Sequence, residues 1–221
     1  MNSLSRAGGS ATLLVIAKEP VPGRVKTRLT PPYSPEEAAV LAEAALTDTL
    51  HTILQVPARR RVLVLDGAPG HWLPPGFEVV PQTDGGLDER LAAAFEQCDS
   101  GPALLVGMDT PQLSPDLLAG VGRDGHDAWF GPAADGGFWA LGFADPVRGG
   151  ALVRGVPMST ERTGAVQRRR LVAAGLTVGD LPTLRDVDTA ADAASVVTSC
   201  APGSRFAAAL ASLALPAETV R

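Results

Sequence analysis

A chain of 221 residues that is 45% hydrophobic and 19% charged has the size and balance of one α/β domain able to bury a real core. Its formal charge of -5 at pH 7 excludes the broad positive field that nucleic acid or an anionic membrane surface would attract. No apolar run approaches the roughly 20 residues of a membrane-spanning helix, so the reading carries no nucleic-acid or membrane partner. The two cysteines, Cys98 and Cys200, lack metal-ligand spacing and disulfide density, which suits a reducing cytoplasm.

Residues 1–10 read as a mobile tail, 11–215 as a single domain and 216–221 as a short carboxyl-terminal tail. The apolar run 11–17, ATLLVIA, is a buried strand that gives way to the loop 18–30, KEPVPGRVKTRLT. Ser34, Pro35 and Glu37 supply an N-cap, a first-turn proline and a capping-box glutamate for a long helix running to about Val56. Residues 61–66, RVLVLD, and 77–80 follow as strands, the first parallel to the amino-terminal one across a right-handed crossover. The loop 82–90, QTDGGLDER, feeds a helix to about Cys98.

Residues 103–106 form a short apolar strand that ends at Gly107 and presents Asp109, with Thr110 and Pro111 behind it. Ser114 and Pro115 open a helix to about Gly122. Residues 127–131 and 138–143 read as strands flanking the turn cluster 132–137, PAADGG, which forms a hairpin or a loop beside a site. A helix over 163–174 and a strand over 176–181 lead to Arg185-Asp186-Val187-Asp188-Thr189. Another alanine-rich helix follows, and 204–215 forms a last packing helix.

Open α/β sheets bind ligands at the carboxyl ends of their strands, so Asp109 is a candidate metal ligand as well as a candidate turn cap. The loop after the first strand holds Lys18, Arg24, Lys26 and Arg28 beside Gly23 and two prolines, a composition that lets a stiff backbone and alternating cations meet polyphosphate oxygens. A solvated basic face accounts for the same residues. This loop is neither a GxxxxGK[ST] nor a GxGxxG loop. Asp188 lies after a strand and before a helix, so with Asp109 it provides the one or two carboxylates that a phosphate-bridging divalent ion takes from a protein; helix capping competes. Asp186 reads as a supporting group or a turn residue. Asp135, Gly136 and Gly137 read as a backbone-approach loop or a hairpin turn, and Asp84, Gly85 and Gly86 as amide donors to a nucleotide or a glycine turn. His51, His71 and His126 lack zinc spacing, and no GxSxG elbow is present.

Five ordered stretches, AKEPVPGRVKTRL, QTDGGLDERL, VGMDTPQL, GPAADGGFWALG and DVDT, resemble the rSAM/selenodomain-associated transferases, a glycosyltransferase-like family of the nucleotide-diphospho-sugar transferase superfamily. The chain also looks like the 2-phospho-lactate guanylyltransferases and the molybdenum-cofactor nucleotidyltransferases. The resemblance implies an α/β fold, a three-layer α/β/α sandwich with a mixed, mostly parallel sheet of GT-A type. It further implies a basic phosphate cradle in the first loop, here Gly23, Arg24, Lys26 and Arg28, and a Mg²⁺ (or Mn²⁺) held by Asp109 and Asp188. This loop departs from the superfamily pattern in carrying one glycine where several are usual.

The expected reaction is nucleotidyl transfer from a nucleoside triphosphate to a phosphorylated small molecule. Lys26, Arg24 and Asp109 then serve the chemistry, while Lys18, Gly23, Arg28, Asp84, Gly85 and Gly86 help hold the nucleotide. Asp135, Gly136, Gly137 and Thr160 face the acceptor. The alternatives are sugar transfer from a nucleotide-diphospho-sugar, with Asp135 as the available base, and a non-catalytic nucleotide-binding protein.

Overall fold

The computed structural model describes residues 11–214. The expected tails at 1–10 and 216–221, and the domain's last residue, lie outside them. Seven strands, β1 (Thr12–Lys18), β2 (Arg60–Asp66), β3 (Glu78–Pro81), β4 (Ala103–Val106), β5 (Ala128–Pro132), β6 (Phe138–Phe143) and β7 (Val178–Asp180), form one sheet in the order β3-β2-β1-β4-β6-β5-β7. β6 runs antiparallel to both of its neighbours, and every other pairing is parallel. The six helices of the described residues are α1 (Pro35–Gln55), α2 (Leu87–Glu96), α3 (Pro146–Gly150), α4 (Thr163–Ala173), α5 (Ala190–Val196) and α6 (Arg205–Ala214). This is the mixed, mostly parallel sheet between helical layers that the sequence implies.

The two-residue period of the strands divides the core. Leu13 and Val15 of β1 face Leu46, Leu50 and Ile53 of α1, whereas Leu14 faces the opposite side with Leu91 and Phe95 of α2 and Leu171 of α4. α1 starts where its capping box requires: Ser34 Oγ accepts from the Glu37 amide at 3.2 Å, and Glu37 Oε2 accepts from the Ser34 amide at 2.8 Å. The outer face of α1 makes a third cluster, in which Leu41 and Ala45 pack with Val196 of α5 and Phe206 of α6.

Some boundaries differ from those expected. The helix over 115–122 is only a 3-10 turn, Pro115–Leu118, because Gly120 and Gly122 follow and Gly122 adopts φ +77°. The strand over 176–181 shortens to β7. α3, capped by Asp145 Oδ1 accepting from the Arg148 amide at 3.2 Å, and a 3-10 turn Thr27–Leu29 inside the basic loop have no counterpart in the sequence reading.

The site follows from the strand order. β1 pairs with β2 on one side and β4 on the other, so the chain reverses direction across the sheet there and leaves a crevice at the strands' carboxyl ends.

Candidate functional site: a two-lobed cleft at the strand ends

Two cavities open at that crevice and share Lys18, Met108, Asp109 and Asp188 in their walls. The smaller, about 230 Å³, is bounded by the basic loop: Arg24, Lys26 and Arg28 line it with Lys18. The larger, about 430 Å³, extends over β4 toward β6 and α4, where Asp135, Gly137, Thr160 and Asp186 line it with apolar Leu87, Phe138 and Met158.

The four cations of the loop are not equivalent. Lys26 is 8% exposed; its Nζ lies 2.8 Å from Asp109 Oδ1 and 3.1 Å from Asp188 Oδ1. Burial opposes its charge, but the two carboxylates outweigh that penalty and hold its pKa above the ordinary lysine value. Arg28 donates to Asp188 Oδ2 at 2.9 Å from an exposed position. Lys18 and Arg24 have no ion-pair partner among the described residues and remain available to an incoming anion. Gly23, at φ +74° with open space around its Cα, lets the chain turn before Arg24 but does not line either cavity.

Asp109 leaves β4 on a turn whose carbonyl accepts the Val187 amide at 2.9 Å, tying the two acid-bearing loops together. In that extended segment Val187 is 1% exposed and faces the core, so Asp186 and Asp188, one on each side of it, both face the cleft. The helix-capping alternative for Asp188 does not hold. Thr189 caps α5, its Oγ1 accepting from the Asp192 amide at 3.2 Å while Asp192 Oδ2 accepts from the Thr189 amide at 2.9 Å.

From the sequence, Asp186 reads only as a supporting or turn residue. In the cleft, burial together with the charges of Asp109, Asp135 and Asp188 pushes its pKa up to about 7, with Lys26 opposing. The signal that could have found it is the D-x-D spacing: in an extended chain, alternate residues share a face.

The acceptor-side loop is locked to α4. Gly136, at φ +90°, could not carry a side chain, since a Cβ there would lie 2.0 Å from the Glu161 carbonyl oxygen. Its own carbonyl accepts the Gly164 amide at 2.8 Å. Gly136 is therefore a packing residue, while Asp135, Gly137 and Thr160 line the cavity. Asp135 Oδ1 accepts from the Gly137 amide at 2.8 Å.

Asp84, Gly85 and Gly86 stand on the exposed rim and line neither cavity. The Gly86 amide is already spent on Glu89 Oε2 at 2.8 Å. Their neighbours Gln82 and Arg90 line the larger cavity instead. Gln82 donates to the Ala17 and Val64 carbonyls at 2.7 and 3.2 Å and accepts from Arg90 Nη1 at 3.0 Å, so it braces the guanidinium.

Asp109 and Asp188 suit a hard divalent ion. Both Oδ1 atoms converge on the Lys26 ammonium, at 2.8 and 3.1 Å. Among the described residues no group of three His, Cys, Asp or Glu side chains is placed to hold a metal ion.

The mixed sheet and its order are those of a fold found in several solved structures. The chain is similar, at 24% identity and a TM-score of 0.83 over 92% of its length and 95% of the other chain, to a protein of Desulfovibrio desulfuricans G20 provisionally named a nucleotide-diphospho-sugar transferase. It is also similar to CMP:2-keto-3-deoxy-manno-octonic acid synthetase complexed with CTP, at 13% identity and a TM-score of 0.52 over 85% and 97% of the two chains. A third similar structure is Rv0371c of Mycobacterium tuberculosis H37Rv in complex with manganese, at 22% identity and a TM-score of 0.51 over 85% and 97%. The chain belongs to the family of uncharacterized proteins conserved in bacteria designated DUF2064, whose model matches residues 40–160. No curated protein matches it in sequence. Among the described residues no helix is long and apolar enough to cross a membrane.

Proposed function

We propose that the protein is a divalent-metal-dependent transferase that moves a nucleotidyl group from a nucleoside triphosphate to a phosphorylated small molecule and releases pyrophosphate. The observation that carries this reading is the two-lobed cleft: a basic lobe with Lys18 and Arg24 unpaired, and a larger mixed lobe, meeting at Asp109 and Asp188. Similar folds occur in a protein solved with CTP and in one solved with manganese, which supports the reading at the level of fold.

The nucleophile is already ionised, so the reaction asks the protein for position and charge rather than for a strong base. Lys18 and Arg24 hold the β- and γ-phosphates of the nucleotide. Asp109 and Asp188 would hold the metal, which would supply charge neutralisation to the phosphates. Asp135, Gly137 and Thr160 orient the acceptor across the cleft, and Gly136 keeps their loop against α4.

Sugar transfer from a nucleotide-diphospho-sugar is the second reading. It is favoured by the carboxyls on the acceptor side, where Asp135 is the base available to an acceptor hydroxyl. Thermal denaturation with ATP, CTP, GTP, UTP and a set of nucleotide-diphospho-sugars, each with and without Mg²⁺, tests both. The first reading expects magnesium-dependent stabilisation by a triphosphate, about 2.7 kcal/mol at a hundredfold excess over the dissociation constant, and its loss in Asp109→Ala. Stabilisation confined to a nucleotide-sugar selects the second reading, and no response to either overturns both.

A further inference from the structure

Lys26 stands where the proposed ion would stand. Its Nζ meets Asp109 Oδ1 at 2.8 Å and Asp188 Oδ1 at 3.1 Å, and among the described residues no other cation reaches both carboxylates. A magnesium ion ligated by those oxygens would sit about 2.0–2.1 Å from them. An ammonium and a metal cannot share that point. We propose that Lys26 is a resident cation that positions Asp109 and Asp188 in the metal-free protein and must leave them for the divalent ion to bind, so that the ion enters together with the nucleotide phosphates. This inference deepens the proposed function and rests on its metal pair.

The surroundings say which part moves. Val25 and Leu29, on either side of Lys26, are 6% and 0% exposed and anchor the loop in the core, so the backbone stays while the side chain swings. Lys26 holds a left-handed conformation, φ 48° and ψ 36°, which a residue with a side chain adopts only when its surroundings fix it; here the flanking core residues and the two carboxylates do so. Lys18 and Arg24 line the same small cavity without partners, so a polyphosphate drawn to them brings oxygens within reach of Nζ. Those oxygens replace the two carboxylates as partners of the ammonium, and the carboxylates are released to the ion. Arg28 is different: it contacts the far oxygen of Asp188, Oδ2, from an exposed position and does not touch Asp109.

The consequence is a coupling between ligands. Metal alone must displace a paired ammonium, whereas metal with a triphosphate need not, and by linkage each tightens the other. Titration of the full chain with Mn²⁺, free ion being read by electron paramagnetic resonance, measures this without any turnover. Lys26→Met is expected to bind Mn²⁺ on the order of tenfold more tightly than the unaltered protein in the absence of nucleotide. Arg28→Met, which also removes one positive charge beside Asp188, is expected to change the affinity by less than about threefold. Equal or weaker binding by Lys26→Met overturns the proposal, as does an equal gain in Arg28→Met, which would assign the effect to general charge. Lys26→Gln carries the same comparison where the methionine variant does not fold. In the unaltered protein a non-hydrolysable triphosphate is expected to tighten Mn²⁺ binding, and a triphosphate that binds without doing so also overturns the proposal. Failure of every triphosphate to bind sinks the nucleotidyl-transfer reading instead, while the comparison of Lys26→Met with the unaltered protein still decides the role of Lys26.

Discussion

Asp48 and Asp186 are both aspartates drawn back from solvent, and the chain treats them in opposite ways. Asp48, 9% exposed in the middle of α1, is saturated: Ser204 Oγ donates to Oδ2 at 2.7 Å, the Phe206 amide to the same oxygen at 2.9 Å, and the Arg205 amide to Oδ1 at 3.0 Å. From another helix it accepts the first two amides of α6, while Ser204 Oγ accepts the Ala207 amide at 3.1 Å, and it holds the carboxyl-terminal end of the described chain against α1. Asp186 has no hydrogen-bond donor of that kind and three like charges around it. A satisfied carboxylate marks a structural joint. A crowded one marks a place where the fold carries like-charge repulsion that its own hydrogen bonds do not offset.

Removing Asp48 is the most damaging way to probe that contrast. Asp48→Ala leaves two amides and a hydroxyl without their shared acceptor beside buried Phe206, and is expected to cost about 3 kcal/mol or more by urea denaturation. A loss below about 1 kcal/mol would mean that α6 is held by its apolar face alone. Asp186→Asn, nearly isosteric, should move the other way. With like-charge crowding relieved, stability at neutral pH is expected to rise by about 1 kcal/mol, and a fall would assign Asp186 a structural role like that of Asp48.

The smallest effect belongs to an aspartate that is neither buried nor crowded. Asp180 accepts from Arg168 Nε at 2.9 Å and from Nη2 at 2.6 Å, and this hydrogen bonding holds its pKa below the usual carboxylate value. With both side chains around half exposed, solvent screening leaves Arg168→Ala a cost of about 0.5 kcal/mol or less at pH 7. A depressed carboxylate stabilises above its unfolded pKa and loses that contribution as pH falls through its folded one. The difference between Arg168→Ala and the unaltered protein should therefore be constant well above the ordinary Asp pKa of about 3.9 and shrink as the pH falls through the lowered folded value. A difference that grows on acidification would break this account.

The loops of the cleft show where local signals suffice. Ser34-Pro35-Glu36-Glu37 announces α1 because a capping box is read within four residues, and the apolar runs of β1, β2 and β4 announce buried strands because burial on both faces needs no long-range partner to be recognised. Asp109 and the DVDT segment could be assigned to strand ends from the order of elements. The rim glycines could not be separated from the cavity wall, because Gly85 and Gly86 carry the letters of an amide cradle whether or not the Gly86 amide is already spent on Glu89. Gln82 and Arg90, the neighbours that do line the cavity, form a pair only across the loop that joins β3 to α2.

By itself the sequence determined the α/β class, the caps and strands that build it, the family motifs, and which loops bear charge, since propensity, capping and hydrophobic period act over a few residues. Only the tertiary structure decided how those charges pair: that Lys26 sits between Asp109 and Asp188, that Lys18 and Arg24 have no ion-pair partner among the described residues, that Thr189 and not Asp188 caps α5, and that Asp186 joins the cleft. Ion pairing depends on distance in space, and loops far apart in the chain meet at the sheet edge only once the strand order has brought β1, β4 and the segment after β7 together.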